Sequence, residues 1–377
     1  MQGFGQTIFA EMSLLAHRTG AVNLGQGFPD TDGPEAVADA AVAAIRHGHN
    51  QYPPGRGVPE LLEAVAAHQD RFYGIVHDPD TDILVTAGAT EAIAAALLAL
   101  CQPGDEVVTF EPAYDSYGAC VAMAGATLRT VTLRPPAFSY DPAELDAAIT
   151  PATRVLLLNS PHNPTGAVFG PGELDHIARL AIANDLVVIT DEVYEHMVFD
   201  GRHVPIQTLP GMAERTLTIS SAGKTFSFTG WKIGWVCGPA ELVAAVATVK
   251  QYLTYATGTP FQHAVAVGLG LDDSYFETLT ADLRSKRDLL CDGLSAAGFE
   301  VFRPAGTYFV TASIEPFGVD DARRFCLELP ERCGVVAIPN SVFYQRPDVG
   351  RHLVRFTFTK RREVLEEAVR RLQTLDA

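Results

Sequence analysis

Ser220-Ser221-Ala222-Gly223-Lys224-Thr225-Phe226-Ser227-Phe228-Thr229-Gly230-Trp231-Lys232-Ile233-Gly234-Trp235 is the stretch from which the rest of the chain can be read. Lys224 sits in a turn rich in serine and glycine, and Lys232 follows shortly after. The first lysine suits an amine that must react. The second, with Ser221, suits a grip on a phosphate. An amine for an aldehyde and cations for a phosphoester are together what pyridoxal phosphate requires. Gly223-Lys224-Thr225 also looks like the end of a P-loop. That motif needs a glycine five residues before its Gly-Lys pair, and Thr218 stands there. A surface lysine in a flexible turn is the plain alternative, and the remaining sequence has to decide.

Around this stretch, short apolar runs alternate with helical patterns. Ile83 to Thr86, Glu106 to Phe110, Arg154 to Leu158, Leu186 to Thr190 and Thr216 to Ser220 read as strands. Leu156-Leu157-Leu158 and Val187-Val188-Ile189 are apolar without alternation, as in strands covered on both faces. Leu174, Ile177, Ala178, Ala181 and Ile182 recur at helical spacing between two of them. This is the order of an α/β fold with a mainly parallel central sheet. After about residue 272 the pattern changes to a long charged helix from Ser274 to Ala297, then Phe299 to Phe302, Tyr308 to Ser313, Val335 to Ile338, His352 to Phe358 and a last helix from Arg362 to about Leu372. A smaller α+β domain is expected there. The chain divides into an N-terminal arm with part of the small domain (1–33), a large cofactor-binding domain (34–272) and a small C-terminal domain (273–377).

With 377 residues, the chain can bury a large core. Its 47% hydrophobic and 19% charged residues are ordinary for a globular enzyme. The longest apolar candidate, Ala92 to Cys101, is shorter than the roughly 18 residues a membrane span needs. The first Lys or Arg is Arg18, so the positive start of a secretory signal is missing. Six scattered cysteines without a CxxC pair read as reduced thiols of a cytoplasmic protein. No HExxH or paired Cys/His spacing points to a metal. A net charge of −17 argues against nucleic acid and anionic membrane as partners. It leaves anionic substrates open, because charges beyond about 8 Å are largely screened.

Four further sites suit the lysine. Thr86-Ala87-Gly88-Ala89-Thr90-Glu91 follows a strand and opens a helix, whose free N–H groups make a phosphate seat. Asn159-Ser160-Pro161-His162-Asn163-Pro164-Thr165-Gly166 ends another strand in a fixed turn and can aim the amide of Asn163. Thr190-Asp191-Glu192-Val193-Tyr194 ends the next strand, at the edge where α/β ligands bind. There Asp191 could keep a pyridine nitrogen protonated and Tyr194 could bond the ring's oxygen; alone, Asp191 could equally cap a helix. Arg355 interrupts the apolar Val354-Arg355-Phe356-Thr357-Phe358 and needs an anion, either an internal carboxylate or a substrate's.

Asn23-Leu24-Gly25-Gln26-Gly27-Phe28-Pro29-Asp30, Asn-x-Pro-x-Asn-Pro-Thr-Gly, Asp-Glu-Val-Tyr and the lysine stretch occur in the order found in fold-type I, class I/II aminotransferases. The chain resembles that family over essentially its whole length. Within it, the chain is similar to the kynurenine/glutamine/methionine group and to bacterial N-succinyldiaminopimelate aminotransferases. The resemblance implies a pyridoxal 5'-phosphate (PLP) enzyme of fold type I. It makes Lys224 the residue that forms the Schiff base and shuttles the proton. Asp191 then pairs the ring nitrogen, and Tyr194 and Asn163 hold the ring oxygen. Tyr114 stacks on the ring. Gly88, Ala89, Thr90, Ser221 and Lys232 hold the phosphate. Tyr52, in Asn50-Gln51-Tyr52-Pro53, reaches the phosphate of a neighbouring subunit, which implies a homodimer with shared sites. Gly27, Asn163 and Arg355 hold the substrate carboxylate.

The implied reaction moves an amino group from an L-amino acid to a 2-oxo acid such as 2-oxoglutarate. Kynurenine-, glutamine- or methionine-like donors and N-succinyl-LL-2,6-diaminopimelate are the candidates. A β-lyase acting on cysteine conjugates would use the same residues. A PLP- and effector-binding regulator is the rival outside enzymes, and no basic helical module before residue 30 supports it. The chain departs from the kynurenine group in two places. No tryptophan stands in Gln6 to Phe9, and Tyr255 to Pro260 lacks a Phe-His pair.

Overall fold

The computed structural model describes residues 8–375; residues 1–7, with Gln6 of the arm, and residues 376–377 lie outside the described residues. The arm carries β1 (Val22–Asn23). The central sheet contains β2 (Ile83–Thr86), β3 (Glu106–Glu111), β4 (Thr127–Thr132), β5 (Thr153–Asn159), β6 (Val187–Asp191), β7 (Thr216–Ser221) and β8 (Gly234–Cys237). Their order is β2-β8-β7-β6-β5-β3-β4. β8 runs antiparallel to both its neighbours, and the other pairings are parallel.

The apolar runs of β5 and β6 are buried along nearly their whole length because helices cover both faces. One covering helix, Pro171–Ala183, buries Leu174, Ile177, Ala178 and Ala181. Each leucine or isoleucine so buried contributes about 1.5–3 kcal/mol relative to exposure. β4 was not expected from the sequence. It lies at the sheet edge, and its Thr127-Leu128-Arg129-Thr130 portion is only partly buried, so it carries no apolar run. β8 begins inside the lysine stretch, at Gly234.

Register decides where the chemistry can sit. Asn159 of β5 lies beside Asp191 of β6, and Ser221 of β7 lies beside Gly234 of β8. Gly234 also pairs with Thr86 of β2. All five residues therefore share one edge of the sheet, the carboxyl edge of its parallel strands. Gly234 is needed there, because a Cβ would stand 2.6 Å from the Gly88 carbonyl carbon.

The second sheet joins β9 (Glu300–Phe302), β10 (Phe309–Ser313), β12 (Ile338–Pro339) and β13 (Leu353–Thr357) in the antiparallel order β12-β13-β10-β9. The sequence suggested one strand over Val335 to Ile338. The structure splits it at Ala337: β11 (Val335–Val336) pairs in parallel with β1, and β12 pairs with β13. The helices Asp273–Ala296 and Arg362–Leu372 pack on each other beside this sheet. No helix of the described residues is long and apolar enough to cross a membrane.

The arm is fastened across the second sheet by hydrogen bonds. The Leu24 N–H donates to Val336, and the Leu24 carbonyl accepts from Thr357. The Asn23 side chain accepts from the N–H groups of Gly25 and Gln26 and bends the chain. Gly27 then passes so close to Phe309 that a Cβ would meet its ring at 2.4 Å. The Tyr308 hydroxyl donates to the Gly27 carbonyl at 2.7 Å.

Candidate active site

A cavity of about 380 Å³ opens between the carboxyl edge of the central sheet, the arm and the second sheet. Lys224 enters it from the short helix Ala222–Thr225, which begins directly after β7. Its Nζ lies 6.0 Å from the Tyr194 ring centre and 5.9 Å from that of Tyr308. Tyr194 is buried, edge-on to Tyr308 at 5.2 Å.

Asp191 ends β6 with its carboxylate buried. The Tyr117 hydroxyl donates to Oδ2 at 2.7 Å, and the Val193 N–H donates to Oδ1 at 3.4 Å. Burial pushes this acid up to about 6, although Tyr117, the Val193 N–H and Lys224 all favour its anion. Asn159 clamps the neighbouring turn: its Nδ2 donates to the Asp191 carbonyl, and its Oδ1 accepts from the Asn163 N–H, both at 2.8 Å.

Arg355 projects from β13 and is 1% exposed. Its Nη1 donates to Asn163 Oδ1 at 2.9 Å, and its Nη2 donates to the Gly25 carbonyl at 3.1 Å. Its Nε is buried with no partner. Among the described residues no carboxylate forms an ion pair with it, so the internal salt bridge that the sequence left open is not what the structure shows. The guanidinium instead lies 4.0 Å from the Phe309 ring centre. Burial lowers its pKa to about 10, which still leaves it cationic at neutral pH. Because Asn163 Oδ1 is taken by Arg355, its amide N–H groups remain for a ligand.

Gly88 caps the helix Ala89–Leu100 with φ +78. The first-turn N–H groups of that helix have no intrahelical partner, and Ala89 and Thr90 line the cavity. Lys232 closes the seat: a Cβ on Gly88 would stand 3.3 Å from its Cε and Nζ. Ser221 lines the same end. Tyr114 lines the cavity wall, its hydroxyl bonded to the Thr90 side chain, and burial pushes it up to about 12. The residues present therefore fit PLP: an anion seat at a helix start, a buried acid for the ring and a free amine.

Of the residues singled out from sequence, Tyr52 alone is not in this cavity. It is 83% exposed and meets Tyr255 edge-on at 5.5 Å. Sequence reasoning missed Tyr117, Asn159 and Phe309 as cavity residues. Asn159 was visible as the last polar residue of an apolar strand, whereas the two aromatics look like core residues. Sequence spacing also could not show that His68, Glu195 and His196 come together, with the two Nε2 atoms at 2.7 Å. That separation is a hydrogen bond between two rings, and burial holds both rings neutral.

The fold and this cavity define a PLP-dependent transferase. Residues 19–372 match the aminotransferase class I and II family, and the chain belongs to that family. It is a PLP-dependent aminotransferase acting on amino and 2-oxo acids. The structure of N-succinyldiaminopimelate aminotransferase from Mycobacterium tuberculosis is similar, with a TM-score of 0.97 and 56% identity over 99% of this chain and 98% of that one. An Escherichia coli protein with methionine aminotransferase function matches with a TM-score of 0.96 and 39% identity over 99% and 98%. A Thermus thermophilus aspartate aminotransferase in complex with maleate matches with 0.92 and 34% identity over 100% and 98%.

The raised Asp191 predicts a pH dependence of stability. Below the ordinary carboxyl value of 3.8 both the native and the unfolded chain hold this proton. As pH rises through about 6 the native state must ionise a buried acid, and stability is lost. Two units correspond to about 3 kcal/mol. In urea titrations of cofactor-free protein, Asp191→Asn should gain up to about that much on wild type between about pH 4 and about pH 7. A difference that does not change with pH would contradict the raised value.

Proposed function

We propose that the chain transfers the amino group of N-succinyl-LL-2,6-diaminopimelate to 2-oxoglutarate or a similar 2-oxo acid. The catalytic part of this reading is carried by two side chains facing one cavity: the Lys224 amino group and Arg355 with an unpartnered Nε. The donor is supported by the 56% identity to the M. tuberculosis enzyme. A wall of Phe9, Phe28 and Phe309 favours a second reading, in which the donor has an apolar or amide side chain such as that of methionine, kynurenine or glutamine. Loss of the PLP absorbance on mixing with each donor separates the two.

When bound, PLP supplies an aldehyde and a ring that accepts the electrons of a broken Cα–H bond. Lys224 takes the α-proton at Nζ and returns it. Asp191 would hold the proton of the ring nitrogen, and Tyr194 and Asn163 would donate to the ring oxygen. Tyr114, which lines the cavity wall, would stack on the ring. Gly88, Ala89, Thr90, Ser221 and Lys232 bind the phosphate. Gly27 and Arg355, with Asn163, orient the substrate carboxylate.

We further propose a homodimer in which Tyr52, exposed here, binds the phosphate held by the second copy. The cytoplasm is its proposed compartment, supported by six unpaired cysteines; fractionation that finds it elsewhere would remove that part.

Lys224→Ala should abolish turnover and the PLP–lysine absorbance, since it removes nucleophile and proton shuttle together. Borohydride reduction and peptide mapping should label Lys224, and label on another lysine would end the assignment. Arg355→Ala should lower kcat/KM on the order of 10²-fold for every donor. Hydrogen bonds to charged groups contribute about 1.5–3 kcal/mol each, and about 1.4 kcal/mol is tenfold. Lysine should not restore it, because a point charge lacks the planar fork. A loss confined to donors with acidic side chains would make Arg355 a side-chain reader instead. Mixing Lys224→Ala with a Tyr52→Ala variant should recover activity through hybrid sites. No recovery, with mixed dimers shown to form, would count against shared sites.

A further inference from the structure

We propose that Tyr117 is a positioning residue that aims the Asp191 carboxylate and holds it as the anion. The proposal rests on the reading of Asp191 as the partner of the cofactor's ring nitrogen. Tyr117 lies on the helix Ser116–Met123, 1% exposed, in the apolar cluster beneath the sheet edge. A phenol so enclosed cannot swing away from its acceptor. Its hydroxyl donates to Asp191 Oδ2 at 2.7 Å, whereas the Val193 N–H reaches Oδ1 only at 3.4 Å. The short bond fixes one oxygen of a carboxylate whose residue lines the cavity. The Tyr117 ring also meets Tyr114 edge-on at 5.7 Å, so it touches both the stacking ring and the carboxylate.

The other groups facing Asp191 do not replace this bond. Lys224, from the helix Ala222–Thr225, favours the anion, and Glu192, next along the chain, opposes it. Tyr114 and Tyr194 are held protonated by burial. Burial drives Asp191 towards its acid form, and the Tyr117 hydrogen bond is the largest influence against that drive. A protonated Asp191 would lose its negative charge and could no longer stabilise a protonated ring nitrogen. Removing the hydroxyl should therefore raise the midpoint of Asp191 and weaken its hold on the cofactor as pH falls.

Infrared titration of the cofactor-free protein, as the difference between wild type and Asp191→Asn, isolates this carboxyl. Tyr117→Phe keeps the ring and deletes only the hydroxyl. It should raise the midpoint by about one unit, a tenfold change in the protonation equilibrium. Its PLP affinity, read by fluorescence quenching, should fall more at about pH 6 than at about pH 8, because the raised midpoint lies between. Tyr117→His, which restores an N–H donor, should move both readings back towards wild type. An unchanged midpoint in folded Tyr117→Phe overturns the proposal. Should that variant not fold, the wild-type Asp191 carboxylate band decides: it should move on H/D exchange of a donating phenol, and an insensitive band overturns the contact. Full PLP affinity and turnover in Asp191→Asn would instead remove the reading of Asp191, while the midpoint would still judge Tyr117.

Discussion

A guanidinium buried to 1% exposure without a carboxylate is the constraint on which the cavity side of the structure depends. Arg355 joins three parts of the chain that are far apart in sequence. It rises from β13, takes the Gly25 carbonyl of the arm and takes Asn163 of the turn after β5. Phe309 lies under its plane. Two neutral acceptors and a ring face satisfy part of a buried cation, and the unpartnered Nε is what remains. A structural ion pair would have consumed that remainder. Leaving it open holds the arm and the second sheet in place and keeps the cation available to a carboxylate.

The opposite wall is built by register. Parallel pairing sets Asn159 and Asp191 side by side, and the antiparallel return of β8 sets Gly234 against both Ser221 and Thr86. Residues from five strands thus meet without any long excursion of the chain. The arrangement is not the most stable one for the same sheet. Burial pushes Asp191 up to about 6, and Glu195, bonded to Ser220 behind the edge, up to about 7. An apolar residue at either place would avoid that cost, as sites that trade stability for activity commonly show.

What the sequence made legible follows from the same physics. Lys224, Asp191, Asn163 and Arg355 could be read because each is a polar residue against an apolar run or inside a stiff turn. β5 and β6 were legible as uninterrupted apolar runs. β4 was not, since an edge strand half in water needs no such run. The break at Ala337 was invisible because β11 and β12 are equally apolar and differ only in their partners. Tyr117 and Phe309 read as core aromatics, and their roles come from what the fold puts beside them. His68 and His196 meet across 128 residues of sequence, beyond the reach of any spacing rule. Tyr52 had a recognisable context, yet it is exposed and does not line the cavity of its own chain.

The polar groups of the cavity and its aromatic wall come from different parts of the molecule. The carboxyl edge of the sheet supplies the amine, the acid and the anion seat, all locked by strand register and tight glycine contacts. An aromatic wall of the same cavity comes from Phe9 and Phe28 of the arm and Phe309 of the second sheet. The arm is tied to that sheet mainly through backbone groups, so most of its side chains can change without moving Asp191 or Lys224. Structures as alike as those of the N-succinyldiaminopimelate and methionine aminotransferases, at TM-scores of 0.97 and 0.96 to this chain, can therefore be named for different donors. The shared backbone goes with the family's reaction, while Phe9 and Phe309 flank Arg355 at 5.4 and 4.0 Å and Phe28 lies against Lys360.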